Sequence, residues 1–321
     1  FRISYSVTTP YQAWMAEQFP VGERPTVSQF QNVFGYIGNA VMIVFTLLVL
    51  TPAFEQLAAA PETIPILILL PVLIFGILVI LFYLSIVFTM PTEPKFKIES
   101  NIIKNLKTIL KHKNYLLIIL MQGIASFAWS IITTVMLTFI GDVLGLSGTV
   151  YYIVAVFLII GFIVFIYLWR RLIQKRGKKR TLLNLFLFAL ILLPTTLIGL
   201  IPLAANIAFG IIFILIIAAT LSGWNLFPYL YMADLAEDNE KQTGELKAGI
   251  YAGFPSILLN IFQAFGPLII GSLLSLPDIM VGSLTYSIGL VLWGPICSAI
   301  LLVSYFYTKK YITLDFDWEK R

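Results

Sequence analysis

Nine long apolar stretches divide the chain, and they constrain its fold more than any other feature. Only 12% of the 321 residues are charged, whereas soluble domains carry about 25%. Each stretch holds the roughly 20 residues with which a helix crosses a bilayer, and helix is required because lipid offers unpaired backbone groups no partner. The sequence therefore predicts an all-α polytopic membrane protein. The predicted spans are residues 1–19, 26–51, 65–90, 115–140, 149–169, 181–202, 206–232, 248–275 and 282–308.

The basic residues lie on one side of this predicted bundle. Of the 21 Lys and Arg residues, all except Arg2 fall in one set of connections or in the C-terminal tail, and the other set holds none. Positive connections stay in the cytoplasm, so we predict a plasma-membrane protein with a cytoplasmic C-terminus. We interpret the basic runs as a topology signal, not as a nucleic-acid site. The basic segments are 20–25, 91–114, 170–180, 233–247 and the tail from 309, and the others are 54–64, 141–148, 203–205 and 276–281.

A short repeat predicts two halves of like architecture. The sequence PYQAWMAE at 10–17 returns as PYLYMAD at 228–234, and each copy closes an apolar span. Internal repeats are typical of secondary transporters. Two helices follow each copy, and three precede the second copy after the basic connection. If the halves match, three further helices precede Phe1. A coincidental match, or a natural protein of nine helices, is the alternative.

These features resemble the major facilitator superfamily. The run RRLIQKRGKKR at 170–180 resembles its D-R-x-G-R/K-R/K signature, with Gln174 in place of the Asp and Lys175 in place of the Arg. TTPYQAWMAEQFPVGER and PYLYMADLAEDNEKQTGELKAGIYAGF are similar to regions of the glycoside-pentoside-hexuronide:cation symporters, the melibiose permease group. The resemblance implies family helices four to twelve. The implied domains are a partial first half (1–90), a cytoplasmic linker (91–114), a second half (115–308) and a cytoplasmic tail (309–321).

The chain also departs from the melibiose group. Members carry an Asp where this chain has Thr8, and a Lys on or near Asn260. In that group those charges help to bind sugar or to couple a cation, and this chain lacks both. The resemblance therefore does not decide whether the coupling ion is sodium or a proton. From residue 26 onward no Asp, Glu, Lys, Arg or His falls in the central part of a span, so this portion alone offers no proton relay. Arg2 either snorkels to the outer interface or lines a cavity.

Uncharged polar residues recur at helical spacing in four predicted spans. Amides offer paired donors and acceptors to hydroxyl groups, and Trp offers an apolar face to a sugar ring. The stripes are Gln29, Asn32, Tyr36 and Asn39; Gln122, Ser126, Trp129 and Thr133; Ser222, Asn225 and Tyr229; and Ser256, Asn260 and Gln263.

This pattern predicts a carrier of a sugar or glycoside. A lipid-like or drug-like solute would use the same aromatic side chains, and the stripes could equally form hydrogen bonds between helices. The residues predicted to contact substrate are Thr8, Gln12, Asn32, Gln122, Trp129, Thr133, Trp224, Asn225, Asn260 and Gln263.

Charged residues cluster where the two repeat copies end. The resemblance implies a gate there, whose ion pairs between the halves hold the cytoplasmic side closed. We expect such a pair, Arg24 with Asp234, to lie at the wet interface and to contribute about 0 to 1 kcal/mol. Glu237, Glu240 and Glu245 are expected to be solvated. The predicted gating residues are Glu17, Arg24, Asp234, Asp238 and Lys247.

An enzyme is the competing class. Asp234 and Asp238 have the spacing of the magnesium-binding motif of intramembrane prenyltransferases, but a second Asp-rich motif is missing. A channel is disfavoured because no charged ring or filter-like Gly run is present. We predict no cofactor and no metal site, and the single Cys297 permits no intrachain disulfide. The expected partners are a small-molecule substrate and membrane lipids, with the chain a monomer. Residues 99–111 form a predicted amphipathic helix on the inner leaflet.

Overall fold

The computed structural model is almost wholly helical in the part it describes, which is residue 13 and residues 15–45, 49–59, 66–89, 109–202 and 206–320. Within that part, 7 helices are long and apolar enough to cross a membrane. The chain is therefore an all-α, multi-pass membrane protein, as predicted. Most of the span 1–19, most of the amphipathic segment 99–111, and both Thr8 and Gln12 lie outside the described residues. Three helices before Phe1 stay a prediction.

The described residues form two compact units, Phe1–Tyr36 with Ile102–Arg321, and Ile37–Asn101. The division falls within the first helix, and the predicted domain boundaries stay predictions. The helices are α1 (Arg24–Phe45), α2 (Thr51–Ala59), α3 (Ile66–Thr89), α4 (Lys113–Thr138), α5 (Gly148–Arg176), α6 (Lys178–Leu192), α7 (Ile207–Thr243), α8 (Ala248–Leu274) and α9 (Gly289–Tyr311).

In the unit Ile37–Asn101, α3 is the long apolar helix. An edge-to-face contact between Phe45 and Phe75, with ring centroids 5.1 Å apart, joins the end of α1 to α3. The short helix α2 occupies much of what the sequence predicted as a connection at 54–64. Lipid contact is expected for the apolar α3 because a helix that is hydrophobic all round is either buried or faces acyl chains.

In the other unit, α7 packs most extensively against α5, and α4 packs between α8 and α9. Small residues allow the closest approach. A Cβ atom on Gly161 of α5 would lie 2.6 Å from the Cβ of Ala218 on α7. Nearby, Trp169 donates from Nε1 to the carbonyl of Ala219 at 2.7 Å. Such contacts between small residues are typical of membrane helices, which gain little from the hydrophobic effect when they associate.

Two helices extend well beyond their predicted spans. The 37 residues of α7 would reach about 55 Å at 1.5 Å per residue, so most of the predicted connection 233–247 is helical. Gly244 ends the helix in the left-handed region, at φ 77. Likewise, α5 runs to Arg176 and α6 begins at Lys178, with only Gly177 at φ 80 between them. The predicted connection 170–180 is therefore a sharp corner between two helices.

Two local features were not predicted. The span 181–202 changes from α-helix to a 3₁₀ segment over Leu193–Leu200, where Pro194 lacks the N–H that an α-helix would use. Between α8 and α9 lies a β-hairpin of β1 (Asp278–Val281) and β2 (Leu284–Ser287). Its two-residue turn places Gly282 at φ 65, a backbone conformation that glycine adopts without strain. The last span therefore starts at Gly289, not at 282.

Candidate functional site

Five charged side chains form a chain of ion pairs where α5 meets α6. Arg24 Nη1 lies 2.8 Å from Asp234 Oδ1, and Arg24 Nη2 lies 2.6 Å from Glu237 Oε2. Lys178 Nζ lies 2.7 Å from both Asp234 Oδ2 and Glu319 Oε1. The charges alternate in sign from Glu319 through Lys178, Asp234 and Arg24 to Glu237. We call these five residues the charge network.

The three central residues of the network are buried, and each of its two cations has at least two acceptors. Arg24 and Asp234 side chains are each 2% exposed, and that of Lys178 is 6% exposed. Arg24 is the first residue of α1, and the preceding segment supplies two backbone acceptors: Nε donates to Phe19 O at 3.1 Å and Nη2 to Ala16 O at 3.3 Å. Removing charges from water is costly, and this full set of charge-assisted hydrogen bonds offsets that cost.

Glu319 of the C-terminal tail contributes a half-buried carboxylate to the network. Burial raises the pKa of Glu319 above its usual range, and the nearby ammonium of Lys178 opposes that rise. The tail approaches closely because Asp315 accepts hydrogen bonds from the backbone N–H of Lys178 at 2.7 Å and of Lys179 at 3.3 Å. A carboxylate at the first residues of α6 is favoured by the helix dipole.

A second polar cluster surrounds Asp238, one turn further along α7. His112, immediately before α4, lies with Nε2 3.2 Å from Asp238 Oδ2 and with Nδ1 2.8 Å from the hydroxyl of Tyr251. Trp318 of the tail donates to Asp238 Oδ1 at 3.1 Å, and Gln242 donates to Oδ2 at 2.8 Å. The cluster therefore joins α4, α7, α8 and the tail.

We expect His112 to make stability depend on pH. Burial lowers the pKa of His112 below its usual value of about 6.5, with Asp238 opposing the shift. As pH falls below about 6.5, the imidazole binds a proton more readily in the unfolded chain than in the folded one. The folded protein is therefore progressively less stable relative to the unfolded chain as pH falls through this range. The melting temperature of the wild type should drop more steeply from about pH 7 to about pH 5 than that of His112→Asn. Parallel curves for the two proteins would contradict this.

Polar side chains of α1 bind the backbone of α7 around Pro228. Ser28 Oγ donates to the Leu226 carbonyl at 3.0 Å, and Asn32 Nδ2 donates to the Asn225 carbonyl at 3.1 Å. Asn225 Nδ2 in turn donates to the hydroxyl of Tyr36 at 2.8 Å. We call these contacts the α1–α7 ladder. The predicted stripes on the two helices therefore face each other, with Asn32 and Asn225 in direct contact.

The comparison with known families agrees with this architecture. A family model described as MFS/sugar transport protein matches residues 1–303. The chain belongs to the major facilitator superfamily. The resemblance to the melibiose permease group fits this match, whereas no curated protein is significantly similar to the chain. Membership points to a secondary transporter rather than an enzyme.

The two aspartates on which the enzyme alternative depended, Asp234 and Asp238, bind side chains of the protein itself. The carboxylate oxygens of Asp234 bind Arg24 and Lys178, while those of Asp238 bind His112, Gln242 and Trp318. The two carboxylates thus serve separate clusters. In the part of the chain that the structure describes, no group of three or more His, Cys, Asp or Glu could hold a metal ion.

The other predicted substrate residues have varied surroundings. Gln122 and Trp129 of α4 are buried, and their Oε1 and Nε1 atoms have no hydrogen-bond partner. Trp129 stacks on Trp224 at 5.7 Å between ring centroids, and Trp224 in turn contacts Phe186 of α6, so this pair lies within the bundle. Three others are exposed, namely Thr133, whose hydroxyl donates to the Trp129 carbonyl, Asn260 and Gln263.

The surroundings of some predicted gating residues differ from those expected. The pairing of Arg24 with Asp234 is confirmed, but the expectation of a solvated pair is wrong because both side chains are buried. Glu237 was expected to be solvated, yet it binds Arg24 and is 19% exposed. Lys247 pairs with Glu245 at 2.9 Å, and Glu17 is exposed. The gating roles of these two residues stay predictions.

Sequence reasoning missed Lys178, Glu319 and His112. A signal for Lys178 existed, since it follows the Gly of the signature-like run RRLIQKRGKKR. No comparable signal marked Glu319, because a charge in a C-terminal tail is ordinarily solvated. For His112 the position in a basic connection suggested exposure, whereas the structure places it against Asp238.

The structure also contains an apolar cavity, whose lining includes none of the predicted substrate or gating residues. It measures about 230 Å³ and is formed by the turn after α4, the 3₁₀ segment and the start of α7, with Phe139, Thr195 and Phe213 among its walls. A sugar needs several hydrogen-bonding groups to fix its hydroxyls, and this lining offers almost none. The cavity suits a hydrocarbon group, so we do not place the substrate there.

Proposed function

We propose that this major facilitator protein moves a small neutral solute, a sugar or glycoside, by alternating access, and that the charge network is its cytoplasmic gate. The observation that carries the proposal is the buried pair of Arg24 and Asp234. It joins the start of α1 to α7, two helices that the sequence repeat assigns to different halves. A contact between halves that can form and break is what a rocking transporter needs at its closed end.

The electrostatics of the network suit a two-state element. In the closed state the alternating charges satisfy one another out of water. In an open state water would solvate the same charges, so the cost of separating them is partly recovered. The difference between the two states is then a few kcal/mol, small enough for a bound solute to shift the balance.

The α1–α7 ladder supports a substrate site just inside this gate. Asn32 and Asn225 place two amide groups between the helices, and the Tyr36 hydroxyl accepts a hydrogen bond from the Asn225 amide. These groups donate and accept hydrogen bonds without carrying charge, which matches the hydroxyl groups of a sugar. When the halves move apart, the same groups lose their partners across the ladder. A substrate hydroxyl could take the place of Tyr36 on the Asn225 amide.

Counterflow tests the proposed function. The full-length protein in liposomes preloaded with a candidate sugar should take up labelled sugar faster than empty liposomes do, with saturation at high concentration. A ligand-stabilisation screen of sugars, glycosides and amphipathic compounds selects the candidate. Repeating the assay with sodium or proton gradients identifies the coupling ion. Stabilisation by amphipathic compounds alone, without counterflow of any sugar, would refute the substrate class.

We expect Asn225→Ala to raise the apparent dissociation constant of that substrate about ten-fold, the equivalent of roughly 1.4 kcal/mol. The variant removes both the proposed substrate contact and the hydrogen bond to Tyr36. Tyr36→Phe is the matched control, because it removes the same hydrogen bond and leaves the amide in place. It should keep affinity within about three-fold. If both variants lose melting temperature equally and keep affinity, Asn225 serves helix packing alone.

The proposed orientation can be tested by thiol labelling in a Cys297→Ser background, in which the buried Cys297 is removed. Asp278 lies in the hairpin and Lys175 near the end of α5, and both are exposed. A cysteine at Asp278 should react with an impermeant reagent in right-side-out vesicles, and one at Lys175 should react only after the membrane is opened. The positive-inside rule gives this expectation, and the opposite pattern would invert the topology.

A further inference from the structure

The tail after α9 is bound along its whole described length, although it lies outside every span. Ile312, Leu314 and Phe316 are buried and alternate with exposed residues, as in an extended strand with one face on the bundle. Asn114 of α4 exchanges two hydrogen bonds with the backbone of Thr313, at 3.1 and 3.3 Å. This anchoring fixes the direction in which the last residues point.

Beyond those anchors, the tail reaches α6 and α7 at the charge network. Asp315 holds the start of α6, and a Cβ atom on Gly177 would lie 2.9 Å from Asp315 Oδ1. Trp318 binds Asp238 through its indole N–H, with the ammonium of Lys241 5.8 Å from the centre of its ring. Glu319 then forms an ion pair with Lys178, which also binds Oδ2 of Asp234.

The position of Lys178 depends on contacts from both sides. A lysine is a point charge on a flexible four-carbon stem, so one carboxylate alone would leave its ammonium several orientations. The ammonium of Lys178 lies 2.7 Å from a carboxylate oxygen of Asp234 and 2.7 Å from one of Glu319. The Glu319 side chain is 15% exposed. Losing Glu319 would free Lys178 to turn toward water, and Asp234 would then keep Arg24 as its single cation.

We propose that Glu319 is a positioning residue of the gate, which holds Lys178 against Asp234 and thereby favours the closed state. This inference rests on the proposed function of the network as a gate. The tail is then a third participant in gating, alongside α1 and α7. It acts through Lys178 and does not contact the substrate site.

The test measures opening in the full-length protein with a cysteine at Ser28 in a Cys297→Ser background. Ser28 is fully buried one helical turn from Arg24, so its reaction with a small thiol reagent from the network side reports an open gate. Glu319→Gln should raise the labelling rate at least three-fold, and Glu319→Asp, which keeps the charge, should raise it less. Asp234→Asn serves as the reference, since it opens the gate directly.

A double-mutant cycle separates positioning from tail packing. In a Lys178→Met background Glu319→Gln should change the labelling rate by less than 1.5-fold, roughly the scatter of such assays, because its only route is through Lys178. Equal effects of Glu319→Gln with and without Lys178 would overturn the proposal. If Asp234→Asn raises labelling and Glu319→Gln does not, the inference about Glu319 fails while the gate survives. If neither raises labelling, the gate itself is wrong.

Discussion

Asp234→Asn should shift the protein toward the conformation open at the charge network and should abolish most counterflow. The substitution removes the carboxylate that lies between Arg24 and Lys178, at 2.8 and 2.7 Å. Breaking a buried ion pair by removing one partner costs about 3 to 5 kcal/mol. Glu237 and Glu319 still bind the two cations. We therefore expect the free-energy difference between the closed and open states to change by about 3 kcal/mol, the lower end of that range. Such a shift changes the closed-to-open ratio by roughly a hundred-fold.

The lost interaction energy should favour opening and not unfolding, because in the open state water can solvate Arg24 and Lys178, the two cations that have lost Asp234. Counterflow and melting temperature, measured on the same preparation, therefore separate the two outcomes. Glu240→Gln is the control, since Glu240 lies on the same helix and outside the network. A large loss of melting temperature with normal counterflow would show that Asp234 stabilises the fold and does not control the gate.

The surroundings of the pair also limit a simple charge swap. In Arg24→Asp with Asp234→Arg, the new Asp would face Glu237 and the new Arg would face Lys178. Like charges at these distances repel each other, so the swap should recover little activity. A pair isolated at a wet interface would instead tolerate the exchange.

Gly294→Val should destabilise the protein by about 3 kcal/mol, the upper end of the usual cost of overpacking. Gly294 lies in α9 against the 3₁₀ segment, and a Cβ atom there would collide with the carbonyl of Leu193 and the hydroxyl of Thr196. That hydroxyl donates to the Val291 carbonyl at 2.8 Å and is buried. The valine would therefore displace backbone and break a buried hydrogen bond. The melting temperature in detergent should fall by several degrees.

Gly271→Val is the matched control for this substitution. Gly271 also lies inside a long apolar helix, α8, and nothing lies within 4 Å of the position of its Cβ. Val has a slightly better helix propensity than Gly, so the control should be neutral or slightly stabilising. Equal losses for both variants would mean that backbone effects, and not the contact between α9 and the 3₁₀ segment, determine the result.

Much of the membrane architecture could be predicted from the sequence because the bilayer permits few alternatives. Apolar length alone placed the spans now occupied by α4, α5, α7, α8 and α9, with shifts of a few residues at most of their ends. The polar stripes of α1 and α7 followed from helical periodicity, which assigned Asn32 and Asn225 to polar faces, and the structure shows that these faces meet. The pairing of Arg24 with Asp234 followed from the repeat, because Asp234 ends one copy and Arg24 follows the other.

The sequence could not predict ion-pair partners that lie far apart along the chain. Lys178 and Glu319 are 141 residues apart, and nothing in local spacing links a signature-like corner to the tail. The partial burial of Glu237 was missed for the same reason, since its carboxylate binds Arg24, 213 positions away. The hairpin escaped notice because its strands are only four residues long, too short for alternation to be distinguished from the end of a span.

The most direct test of alternating access at this gate is the reactivity of a cysteine at Ser28, in a Cys297→Ser background of the full-length protein, toward a thiol reagent applied from the network side. Ser28 is fully buried one helical turn after Arg24 and donates to the Leu226 carbonyl. We predict slow labelling in the otherwise wild-type protein, labelling at least ten-fold faster in Asp234→Asn, and a rate that changes when saturating substrate is added. Labelling that is equally fast in all three conditions would contradict the account, because the charge network would then not close the path to the substrate site.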